Sequence, residues 1–140
     1  MATAATKSET DATELTRALE RGEVAPASFH HASHLQVAWI YLQESDSIAG
    51  ASDKMSVTLR KLAGAAGHPE KYHETITIFW IRILANFRNF AGEQDLDRVL
   101  AANPALLEKD FVLKYYSQDL LLSDRARTSW VEPDLKPLSI

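Results

Sequence analysis

Three histidines, His30, His31 and His34, fall within one short stretch, and a fourth, His73, follows Glu70 by three residues and is followed by Glu74. Imidazole and carboxylate side chains ligate transition metals, and imidazole also titrates near neutral pH. On a helix, His30 and His34 stand at i and i+4 and can face one ion. His73 then offers a third nitrogen, and Glu70 or Glu74 a carboxylate. Glu70-x-x-His73 is half of the di-iron carboxylate pattern, and the sequence holds no second copy, so one ion is expected. Fe, Cu, Zn, Ni and Mn all suit this donor set. Three protein ligands with an open position predict a metal-dependent enzyme, with oxidation of a small molecule favoured by analogy to redox bundles. Four ligands predict a structural site.

Two metal-free readings stand beside this one. The same histidines can line a polar pocket that binds a small molecule or moves protons. They can also belong to a structural network tied to Tyr41, Thr77 or Glu74. His31, at one side of the cluster, is the member expected to be incidental. His68, before Pro69, reads as a capping or surface residue.

The elements that must position these residues read as helices. The most apolar run, Tyr72 to Leu84, keeps a helical period to Phe90. Ile76, Trp80, Ile83, Leu84 and Phe87 share a side with His73, and Lys71, Thr75, Arg82, Asn86 and Asn89 take the other. Pro69 suits a first helical position and Gly92 a stop, which predicts a central helix from about Pro69 to Ala91 with His73 one turn in. Ser28 caps an expected helix from Phe29 to Glu44, with His30, His31, His34, Leu35, Val37, Ala38, Tyr41 and Leu42 on one broad face. Between them, Ser47 to Ala66 is helical and ends at Gly67. Shorter helices are expected at Asp11–Arg21, Asp95–Ala102, Ala105–Tyr116 and Asp124–Val131. Pro133 and Pro137 make the C-terminus an extended strap that packs against the bundle mouth. Short connections make successive helices antiparallel. The helices carrying His30 and His73 therefore begin at the same end, with the imidazoles at matching height.

The expectation is an all-α bundle of about four main helices plus short pieces. Residues 1–10 are read as a disordered tail and 11–140 as one domain. The chain has 140 residues, 46% hydrophobic and 24% charged, within the ordinary globular range. A net charge of −4 without a basic block argues against nucleic acid. No apolar run reaches the length of a membrane span. The absence of cysteine removes disulfides, thiolate ligands and thiol nucleophiles, and fits the cytosol. The first ten residues lack an apolar signal core. No phosphate loop, nucleophile elbow or dinucleotide fingerprint is present. Tyr72, Trp39, Trp80 and Trp130 read as packing residues. A non-catalytic alternative is a helical homodimer or interaction domain with Trp39, Ile40 and Phe90 at its surface.

Phe29-His30-His31-Ala32-Ser33-His34-Leu35 with Ala38-Trp39, then Lys71-Tyr72-His73-Glu74-Thr75-Ile76-Thr77, then Ser123-Asp124-Arg125-Ala126-Arg127 and Glu132-Pro133-Asp134-Leu135, form a pattern. From about Leu15 onward the chain resembles a group of small bacterial all-helical proteins with no activity attached to them. The resemblance implies a bacterial, cytosolic setting and assigns no catalytic residue.

Overall fold

A computed structural model describes residues 7–91 and 95–138, with the side chains of 7–9 and 89–91 left aside. Four main helices carry the fold: α1 (Lys7–Glu20), α2 (His31–Glu44), α3 (Ile48–Ala65) and α4 (Glu74–Ala91). Three short ones follow, α5 (Leu96–Ala102), α6 (Gln118–Leu121) and α7 (Asp124–Thr128). Single 3-10 turns lie at Pro26–Ser28, Pro69–Lys71, Pro104–Leu107 and Lys109–Lys114. No strand occurs among the described residues, so the fold is all-α as expected. No described helix is long and apolar enough to cross a membrane.

Helix α2 lies in the middle and packs against α1, α3 and α4. The reason is local: Val37 to Leu42 is an unbroken buried run, so this helix must be covered almost all round. Trp39 and Ile40, expected at a surface interface, are 1% and 3% exposed and belong to the core. The third interface residue, Phe90, has its side chain outside the described residues. α4 closes the core with Phe79, Trp80, Ile81 and Leu84. Tyr41 ties three helices together, donating from its hydroxyl to Glu20 (2.7 Å) and pairing with the Thr58 hydroxyl (2.7 Å).

Chain reversals follow the expected punctuation. Gly22 and Gly67 adopt φ of 74° and 79°, the left-handed conformation that side chains with a Cβ disfavour. Each sits beyond a helix end in a Schellman arrangement, with Glu23 N–H on Ala18 O and His68 N–H on Ala63 O. Ser47 caps α3, accepting from Gly50 N–H at 2.9 Å.

Five boundaries differ from expectation, one of them that of α7, which ends at Thr128 and not Val131 because Ser129 is extended (φ −152°, ψ 161°). α1 starts at Lys7, so the predicted tail is helical from there; residues 1–6 lie outside the described residues, as does Gly92. α2 starts at His31, with His30 rather than Ser28 at the N-cap. The central helix starts at Glu74: Pro69 opens only a three-residue 3-10 turn, after which Tyr72 is extended (φ −63°, ψ 138°). Ala105–Tyr116 is no α-helix; two 3-10 turns interrupted at extended Glu108 replace it.

The strap lies along α4. Thr75, assigned to the polar side of that helix, is fully buried because its hydroxyl donates to Ser129 O (2.8 Å) and accepts from Val131 N–H (3.2 Å). Tyr116 O–H donates to Val131 O (2.6 Å), and Asp134 accepts from Ser117 N–H and Oγ–H.

Candidate functional site

The N-terminal ends of α2 and α4 meet at one end of the bundle, and a cleft of about 450 Å³ opens there. From α2 and its approach it takes Phe29, His30, His31 and His34; from α4, Ile76 and Trp80. The 3-10 segment Lys109–Lys114 covers one side with Lys109, Asp110, Val112 and Leu113, and α6 with its C-cap another, with Gln118, Leu121 and Leu122. The rim is mixed: the exposed Leu113 and Leu122 stand beside exposed Lys109, Asp110 and Gln118.

The histidines are held differently. His30 occupies the N-cap of α2 in extended conformation, its N–H on Ser33 Oγ (3.3 Å), and its ring lines the exposed mouth. His31 is not incidental. Its Nε2 lies 3.0 Å from Leu106 O and its ring packs edge-on against Trp80 at 4.7 Å. Because a carbonyl only accepts, Nε2 carries the proton. His34, one turn further in, lies between Phe29 and His31, with ring centroids 6.4 and 6.5 Å away. The residue is half-buried, yet its Nε2 is shut off from water and has no hydrogen-bond partner. Burial, with a smaller contribution from His31, lowers its pKa to about 4, so the ring is neutral at pH 7.

The other predicted ligands have different work. His73 is the cap of α4, not a residue one turn in. Its Nδ1 accepts from Ile76 N–H (3.1 Å), and its Nε2–H donates to Leu121 O (2.7 Å). Both ring nitrogens are therefore committed, one to starting the helix and one to holding α6. Burial lowers the His73 pKa, consistent with a neutral ring in this role. Glu70 is exposed and paired with His68 (3.3 Å), which fits the surface role expected for His68. Glu74 faces α3, accepting from Tyr72 O–H and Ser56 Oγ–H with Arg60 at 3.8 Å. Thus the structure brings His30, His31 and His34 to one cleft and leaves His73, Glu70 and Glu74 outside its lining. Among the described residues no three His, Asp or Glu side chains gather closely enough to hold one ion.

Lys109, Asp110, Gln118 and Leu122 were not singled out in the sequence. The signal available was Ser117-Gln118-Asp119, an N-cap followed by an acid in the first turn, which starts α6; Leu120 N–H does bond Ser117 Oγ.

The cap role of His73 has a measurable consequence. His73→Ala leaves Ile76 N–H and Leu121 O without their partner and is expected to cost about 2 kcal/mol. His73→Asn, which can still cap, should recover about half of that in urea unfolding. Equal loss in both variants contradicts the cap assignment.

No family model, curated protein or solved structure matches this chain.

Proposed function

We propose that this chain is a small-molecule-binding protein whose site is the cleft between the starts of α2 and α4. The observation that carries this reading is the unpartnered, water-shielded Nε2 of His34 in the wall of an otherwise largely apolar cleft. Leaving such a nitrogen unbonded costs about 1–3 kcal/mol, a cost that a ligand hydrogen bond removes. Phe29, Ile76, Val112 and Leu121 supply apolar surface, so the ligand is a compact, largely apolar molecule with one hydrogen-bonding group.

The chemistry of the lining favours binding over catalysis. It contains no Ser, Thr or Cys, and a neutral imidazole with a pKa of about 4 is a weak base and a poor proton store at pH 7. A metal-dependent oxidation is less well supported, because among the described residues no three His, Asp or Glu side chains gather closely enough to hold an ion and His73 is already committed. A cysteine-free chain suits the cytosol.

The test is a fragment panel of small aromatic and aliphatic alcohols, amides and acids, read by ligand-observed NMR and thermal shift with untagged protein. A true ligand at a hundred times its Kd should raise the melting temperature by about 8 °C. His34→Leu should weaken it at least about tenfold. Equal binding by His34→Leu contradicts the site. Stoichiometric metal in the purified protein, lost in His34→Ala, would favour the single-ion reading instead.

A further inference from the structure

A second cleft, of about 350 Å³, lies behind the first and is formed by Leu59 and Leu62 of α3 and its C-cap Ala66, together with Pro26, Tyr72 and His73. Its wall is mainly apolar. Besides His34 and Lys71, its polar members are occupied: Tyr72 O–H on Glu74 and Ser56, Thr77 O–H on His73 O, and both His73 nitrogens as described. The two clefts share two lining residues, His34 and Ile76. One imidazole and one branched aliphatic side chain are thus common to both walls. The shared imidazole is also the one with an unbonded, water-shielded nitrogen.

Ile76 is held in place by its own backbone, since its N–H is the group that His73 caps. It is partly exposed rather than fully buried, as a residue facing two clefts must be.

From this we infer that Ile76 sets the size of the ligand: with the polar group bound at His34, the Ile76 side chain stops any second apolar arm from entering the rear cleft. The inference rests on the binding role proposed above and names the ligand class more closely. In the native protein the site takes a molecule with a single apolar body, ending at its polar group. With Ile76 shortened, the two clefts join, and the site accepts a molecule whose polar group sits between two apolar arms. A secondary amide with an aryl body is the simplest such probe, because it can donate to or accept from Nε2 whichever tautomer His34 adopts.

The experiment titrates benzamide and N-butylbenzamide into wild type, Ile76→Val and Ile76→Ala by calorimetry or ligand-observed NMR. Wild type should prefer benzamide by about tenfold or more. Each buried methylene tightens binding about fourfold, so Ile76→Ala should reverse that preference. Ile76→Val, which preserves folding best, should fall between. An unchanged ratio in both Ile76 variants overturns the inference while leaving the binding role intact. Failure of both amides to bind any variant also overturns it, and the fragment panel then reports separately on the binding role.

Discussion

Between pH 6.5 and about pH 4 the folded state is expected to lose roughly 2–3 kcal/mol through His34 alone. The sign follows from the direction of the shift. Burial lowers the folded pKa of His34 from 6.5 to about 4, so across this window the unfolded chain binds a proton that the folded one refuses. The stability is complete above 6.5, declines as the pH falls, and levels off below about 4. His73, also lowered by burial, adds to the loss in the same direction. Asp134, held low by Ser117, contributes only nearer the carboxylate range. Urea melts of wild type and His34→Leu at a series of pH values isolate the effect, because the carboxylates are common to both. The variant should lack the slope assigned to His34. At pH 7 it should be at least as stable as wild type, since an unsatisfied buried nitrogen has been removed. A variant with the wild-type acid slope contradicts the buried position of this ring. A residue whose loss stabilises the fold while weakening binding is one kept for its ligand.

The second large effect belongs to Thr75→Val, expected to cost about 2–4 kcal/mol. Valine matches threonine in shape, so packing is preserved, but Ser129 O and Val131 N–H lose their partner at a buried junction. Thr75→Ser keeps the hydroxyl and should lose about 1 kcal/mol through the missing methyl. Thermal or urea unfolding of the pair reads the difference. Equal losses would place the strap's hold on α4 elsewhere, for instance on Tyr116 O–H and Val131 O.

These two residues also mark where the sequence is legible and where it is not. The cluster of His30, His31 and His34 at the start of a helix beside an apolar run was readable from spacing, and so was the end of the bundle at which the cleft lies. The turns at Gly22 and Gly67 were readable because a positive φ demands a residue without a Cβ. His73 was misplaced because Pro69 favours the first position of an α-helix and of a 3-10 turn alike. The choice was made by a side-chain cap and by Leu121, 48 residues away, neither visible as a period. Thr75 looked like a surface residue for a related reason: what buries it is a segment 54 residues along the chain. Trp39 and Ile40 looked like an interface because a helix covered on every side leaves no polar face by which to orient it. The unpartnered nitrogen of His34 is a property of packing, and no spacing rule reports it.

The most direct measurement is the ring nitrogen spectrum of histidine-labelled protein, recorded as the best fragment from the panel is added. The Nε2 resonance of His34 should move most, with smaller changes at His31 and His30. Those of His68, on the surface, and of His73, already bonded on both sides, should stay near their starting positions. A fragment that binds tightly while leaving the His34 resonance unmoved would contradict the assignment of this cleft as the binding site.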